Sequence, residues 1–230
     1  MKNKIDVLDH GYIILHDVMG DDLAPVNAAR VSYDKRSEEY SDKDDRLLRF
    51  LAREGHTSPF RHATLQFEVY APLMVARQWW KYVVGSDHVM DAWNESSRRY
   101  ITEEPVFYVP KRDEWRSAPS DSKQGSGEVI EDAEGFWMYM QLMEYIEEGE
   151  RLYSDALDAG VCAEQARLFL PAYGMYVRWY WTASLESVAH FLGQRLEHDA
   201  QKEIQLYAQA VDQLARQQFP NAIDYLLEYK

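Results

Sequence analysis

Only one cysteine, Cys162, occurs in the 230 residues. A lone thiol excludes a disulfide framework and any multi-cysteine zinc or iron–sulfur site. Long apolar runs are also missing, so no stretch qualifies as a membrane-spanning helix. Residues 1–20 carry a short apolar run followed by charge, a poor signal peptide, and a reducing cytoplasm is the expected compartment. Basic residues are scarce: 25 Lys and Arg stand against 39 Asp and Glu, a net charge of −14. That balance argues against general binding to nucleic acid or to an anionic membrane. The glycine fingerprint of dinucleotide-binding folds and any fixed-period repeat are absent too.

What is present is the composition of a globular chain, 46% hydrophobic and 28% charged, with length enough for its own core. The charge is unevenly spread. Residues 117–159 hold 11 acids and 2 bases, whereas 160–195 hold 2 acids and 3 bases, and 76–116 are balanced. The windows that escape the acidic trend place arginines beside aromatics. That arrangement suits a small anionic ligand better than a long polyanion.

The hydrophobic pattern predicts strands over 10–18, 64–70 and 105–109. The alternation of Leu65, Phe67 and Val69 with Thr64, Gln66 and Glu68 makes the second the clearest. It predicts helices over 24–32, 42–54, 73–83, 129–158, 162–170, 173–193, 196–217 and 220–229. Residues 117–128 read as a polar Gly/Ser-rich loop, either a plain connector or a mobile cover over a site. The fold class expected is α+β, an antiparallel sheet with a helical bundle, in a single domain over 1–230.

Several chemistries fall away. Glu144 with Glu147, and Asp155 with Asp158, lie on one predicted helix, and one helix face does not surround an ion. Glu186 and His190 share a face but lack a third ligand, so no metal site is expected. Cys162 reads as a small buried or capping residue. Ser96 and Ser97 are not in a nucleophile elbow. What stands out is Arg77-Gln78-Trp79-Trp80-Lys81-Tyr82 followed by Trp93-Asn94-Glu95-Ser96-Ser97-Arg98-Arg99-Tyr100. From residue types alone the block is either a phosphate cradle beside stacking aromatics or a helix with a solvated charged edge and aromatic core anchors.

Residues 71–100 resemble the signature region of flavin-dependent thymidylate synthases, which usually reads A-R-Q-W-x-R-H-R-x-x-S-x-N-E-x-S-x-R-Y. Ala76-Arg77-Gln78-Trp79, Ser86, Asn94-Glu95, Ser97 and Arg99-Tyr100 match it. Further landmarks follow in family order: Asp17 to Gly20, Ala28 to Ser32, Gly55-His56-x-Ser58-Pro59-Phe60-x-His62, Arg167-x-x-Leu170-Pro171 and Ala200-Gln201-x-Glu203-Ile204. The similarity spans roughly residues 5–228. Two departures stand out. Arg-His-Arg is replaced by Lys81-Tyr82-Val83, and extra residues sit at 87–92. Lysine keeps one charge as a point contact, and valine loses a cation entirely.

The resemblance implies methylation of dUMP to dTMP, with methylenetetrahydrofolate as carbon donor and FAD, reduced by NADPH, as hydride source. It implies Arg195 as the cation that polarises the uracil. Gln78, Lys81, Glu95, Ser96, Ser97, Arg98, Arg99 and Arg167 are the implied substrate contacts. His56, Ser58, Lys81, Tyr82, Val83, Glu95, Ser184 and His190 are the implied flavin contacts, and His62 is the implied structural histidine. The family is tetrameric with shared sites, so a homotetramer is expected. The alternative is a nucleotide-binding protein of the same fold that has lost flavin-dependent turnover. A helical metal-dependent phosphohydrolase is the third reading, and its acid pairs are badly placed.

Overall fold

The computed structural model describes residues 3–84, 91–97, 104–120 and 125–229. In chain order its elements are strands β1 (Lys4–Val7) and β2 (Gly11–Met19) and helix α1 (Leu23–Arg30) with a following 3-10 turn (Val31–Tyr33). Helix α2 (Asp42–Arg53), a second 3-10 turn (Ser58–His62), β3 (Thr64–Pro72), α3 (Leu73–Val84) and β4 (Ala92–Glu95) come next. The long α4 (Asp132–Asp158) leads to the single-turn α5 (Ala163–Ala166) and a third 3-10 turn (Arg167–Phe169). Last come β5 (Tyr176–Ser184), α6 (Leu185–Arg195), α7 (Lys202–Ala215) and α8 (Pro220–Glu228).

The five strands form one antiparallel sheet in the order β1-β2-β3-β5-β4. One face is core. Ile13 and Leu15 on β2, Leu65, Phe67, Val69 and Ala71 on β3, and Val177, Trp179, Trp181 and Ala183 on β5 are all buried there. Helices α3, α6 and α7 cover that face, α8 packs behind them, and α2 packs on α8. The other face is polar and aromatic. There Glu68 accepts hydrogen bonds from Tyr12 Oη at 2.9 Å and from His16 Nε2 at 2.8 Å, and the His16 and Tyr180 rings stack at 5.2 Å.

The expected α+β class holds, and several elements differ from the sequence pattern. Residues 173–193 are not one helix: 176–184 form β5, and only 185–195 are helical. The cause is a period of two in aromatic and β-branched residues, with Val177, Trp179 and Trp181 inward and Arg178 and Tyr180 outward. Residues 105–109 make only a single bridge, Phe107 to Met175. Pro105 and Pro110 bracket that segment and remove two backbone donors. Residues 162–170 give one α-turn and a 3-10 turn, and the helix expected over 196–217 begins only at Lys202. Strands β1 and β4 were not anticipated. Of the two readings of Cys162, the structure gives the capping position: it is the N-cap residue of α5, exposed rather than buried, with no side-chain cap hydrogen bond.

Candidate active site

The site is organised by α3. The chain enters it straight from β3, and two of its first-turn amides are satisfied from outside: Leu73 N–H donates to the Met175 carbonyl at 2.8 Å and Met74 N–H to the Tyr173 carbonyl at 3.0 Å. Trp79 then pins the helix. It is fully buried, stacked on Phe191 of α6 at 4.2 Å and edge-on to Trp179 and Trp181 of β5 at 5.4 and 5.3 Å. Fixing Trp79 fixes the rotation of its neighbours. Arg77 and Lys81, four apart, lie exposed on one flank, while Met74, Gln78 and Tyr82 line up on the other.

Tyr82 meets α6. The Arg195 guanidinium lies over its ring, 4.1 Å from the centroid, and the His190 ring is 5.7 Å away. Arg195 sits in the last turn of α6, where the helix dipole favours a cation. Partial burial pushes its guanidinium below the usual value, with Tyr82 and Asp199 opposing, and it stays cationic at neutral pH. Its Nε is buried with no hydrogen-bond partner among the described residues.

Gln78 belongs to a different chain of contacts. Its Nε2 donates to Gln201 Oε1; Gln201 Nε2 donates to Glu203 Oε2 at 2.8 Å, and Arg116 pairs with Glu203 Oε1. Glu203 is 4% exposed. Burial alone would raise its carboxyl, but Gln201 and Arg116 outweigh burial and hold it below the usual carboxylate range. Arg116, Gln201 and Glu203 had not been assigned to the site. The Ala200-Gln201-x-Glu203-Ile204 landmark pointed at two of them, and nothing in the sequence paired them with Arg116.

The edge strand β4 carries Glu95, opposite Trp179 in register. Desolvation raises the Glu95 carboxyl, opposed by Trp93 Nε1 at 3.4 Å and by Arg77. Ser96 continues the ladder, its N–H donating to the Arg178 carbonyl at 2.8 Å and its Oγ accepting from Arg178 N–H at 3.1 Å. Ser97 is half-buried beside it. Ser86, Arg98, Arg99 and Tyr100 lie outside the described residues. Arg167 is exposed in the third 3-10 turn, its Nε donating to the Glu164 carbonyl at 3.2 Å.

His56 and Ser58 border a separate cavity of about 620 Å³, with Arg30, Tyr33, Phe50 and His62 among its walls. The 3-10 turn that carries Ser58 packs on α6, where Arg61 Nε meets Glu186 Oε2 at 2.9 Å. Two further implied flavin contacts, Ser184 and Val83, are buried in this chain. Ser184 is wholly buried and caps α6, its Oγ accepting from Ser187 N–H at 3.2 Å. Val83 is 9% exposed, packed into the core. Thus the structure groups Tyr82, His190 and Arg195, groups His56 with Ser58, and ties Gln78 to Gln201. Within one chain it leaves Arg167 on the surface.

The model of the thymidylate synthase complementing protein family matches residues 14–221. A flavin-dependent thymidylate synthase of Thermotoga neapolitana is 37% identical over 226 residues, 98% of this chain and 95% of that one. The chain belongs to the flavin-dependent thymidylate synthase family. A second member, from Thermus thermophilus, is 37% identical over 218 residues, 95% of this chain and 76% of its own. Among solved structures, the UMP/dUMP methylase PolB of Streptomyces cacaoi bound with 5-Br dUMP is similar at a TM-score of 0.82 and 27% identity, with 98% of both chains covered. The same methylase bound with 5-Br UMP gives a TM-score of 0.82 at 25% identity. Of the two readings of the Arg77-to-Tyr82 block, the structure shows the aromatic core anchor, Trp79, with Arg77 and Lys81 on an exposed edge.

Proposed function

We infer that this chain methylates dUMP to dTMP, with methylenetetrahydrofolate as carbon donor, FAD as the flavin and NADPH as its reductant, in the cytoplasm. The observation that carries the reading is Arg195: a half-buried guanidinium lying over the Tyr82 ring, 4.1 Å from its centroid. A guanidinium donates directed, charge-assisted hydrogen bonds, and a uracil carbonyl is an acceptor for them. Negative charge developing on the pyrimidine would be stabilised by this cation in desolvated surroundings, where such interactions are strongest. Tyr82 orients the guanidinium through its ring face.

Bound FAD supplies the hydride. The donor set fits that group: imidazoles and hydroxyls at His56 and Ser58 border a cavity of about 620 Å³ lined by further rings. His56, Ser58, Lys81, Tyr82 and His190 would hold the flavin, with Glu95 between flavin and nucleotide. Ser96, Ser97, Arg98, Arg99, Arg167 and Gln78 would bind the nucleotide sugar and phosphate. Sharing of sites in a homotetramer accounts for the surface position of Arg167 within one chain. Exposed Phe136, Trp137, Tyr145, Leu168 and Tyr173 offer apolar area to bury between subunits.

The test combines a flavin absorption spectrum with dTMP formation from dUMP, methylenetetrahydrofolate, FAD and NADPH. Arg195→Ala lowers turnover by about 10²–10³-fold and keeps the flavin bound. Retained turnover removes Arg195 from its role. The burial of Val83 and Ser184 favours one second reading, a nucleotide-binding protein without flavin-dependent turnover. Calorimetry that detects dUMP binding but no FAD binding would select it.

A further inference from the structure

One ion pair joins the two groups of candidate flavin contacts. On one side, His56, Thr57 and Ser58 wall the cavity of about 620 Å³. On the other, His190 of α6 faces Tyr82, with 5.7 Å between ring centroids. Arg61 stands between them. Its Nε donates to Glu186 Oε2 at 2.9 Å and its Nη2 to Thr57 Oγ1 at 3.3 Å. Glu186 lies in the first turn of α6, four residues before His190 and on the same helix face. Backbone contacts hold the exit of the second 3-10 turn: Leu185 N–H donates to the Ala63 carbonyl at 2.9 Å, and Thr64 pairs with Ser184 in register. The entry of that turn, at Thr57, is reached from α6 through the Arg61 fork.

We propose that Arg61 and Glu186 are positioning residues, a clamp that sets the His56–Ser58 wall at a fixed spacing from His190 and Tyr82. The consequence for ligand binding rests on the flavin reading above, in which one cofactor touches both walls. Such a ligand binds best when the spacing is preset, because loose walls must be ordered at the expense of its affinity. Arginine suits the role. Its planar fork donates from two nitrogens in fixed geometry, so Glu186 and Thr57 are held at a set distance and angle. The side chains are 40% exposed for Arg61 and 13% for Glu186, and a pair this open adds little to global stability. Its effect therefore falls on the spacing of the walls and not on whether the chain folds.

Arg61→Glu, Glu186→Arg and the double variant with the pair swapped are compared as full chains. Each single variant is expected to weaken FAD binding about tenfold in a flavin titration, and the swapped pair to restore it. Arg61→Gln takes the place of Arg61→Glu if that variant does not fold. The urea midpoint is expected to stay close to the parent's throughout; a fall in step with FAD affinity overturns the proposal in favour of plain destabilisation. In the flavin-free protein, Glu186→Arg is expected to speed amide hydrogen exchange across residues 56–61, and the swapped pair to slow it again. Unchanged exchange in Glu186→Arg overturns the clamp. Parental FAD affinity in both single variants overturns its part in binding. Affinity lost and not restored by the swap makes Arg61 a direct flavin contact and overturns the positioning role. A parent chain that binds no FAD defeats the flavin reading, and the exchange measurement then decides the clamp by itself.

Discussion

Gln78 on α3 and Gln201 at the start of α7, 123 residues apart, are joined side chain to side chain, Gln78 Nε2 donating to Gln201 Oε1. The contact fixes which end of the Gln78 amide remains available, namely its oxygen. Gln201→Leu removes that constraint while keeping the volume. The expected result is a several-fold rise in KM for dUMP, about 0.5–1.5 kcal/mol, with kcat within about twofold of the parent. Steady-state kinetics with dUMP varied checks it.

Ser184 separates two explanations of the same residue. As a helix cap its loss in Ser184→Ala costs about 1 kcal/mol of stability and leaves FAD affinity unchanged. As a flavin contact its loss weakens FAD binding. Urea denaturation and a flavin titration on the same variant decide, and the buried hydroxyl bonded to Ser187 N–H favours the first outcome.

The Arg116–Glu203 pair gives a pH signature. Glu203 is held below 4.5, so its contribution to stability is fully present above that value and is lost as pH falls through the folded-state value. Arg116→Met leaves a buried carboxylate without its counter-ion and is expected to cost about 3–5 kcal/mol at pH 7. The deficit shrinks in acid, where Glu203 protonates in the variant first. Thermal melts from pH 3 to about pH 7 measure both effects.

Trp79 anchors α3, and Trp79→Ala is expected to cost about 3–5 kcal/mol. Trp79→Phe keeps the stack on Phe191 and costs less. Because the same ring sets the phase of Gln78 and Tyr82, the smaller ring is expected to loosen the Arg195–Tyr82 contact without abolishing it. A raised KM for dUMP in Trp79→Phe, at temperatures where it remains folded, checks the coupling.

Local pattern carried some of this architecture and missed the rest for identifiable reasons. Strand β3 was legible because one face alternates cleanly. Strand β5 has the same alternation, but its apolar residues run into those of α6 without a break, and the combined stretch reads as one long helix. Strand β4 has only four residues, and its pairing depends on β5, more than 80 residues later. Tyr82, His190 and Arg195 were each flagged by resemblance. Their contact was not readable, because it depends on how α3 and α6 pack around Trp79. Arg116 lay in a loop-like stretch with nothing to mark it, and only the folded chain brings it to Glu203.

The indoles of Trp79, Trp93, Trp179 and Trp181 lie in successive ring contacts, Trp93 stacked on Trp179 at 4.7 Å and Trp79 edge-on to both strand tryptophans. Transition dipoles held that close couple, so the native protein should show an exciton couplet superposed on its far-ultraviolet circular dichroism. Helix content read from ellipticity at a single wavelength will therefore be biased for this chain. The same couplet offers a built-in optical gauge of whether α3 is seated on the sheet.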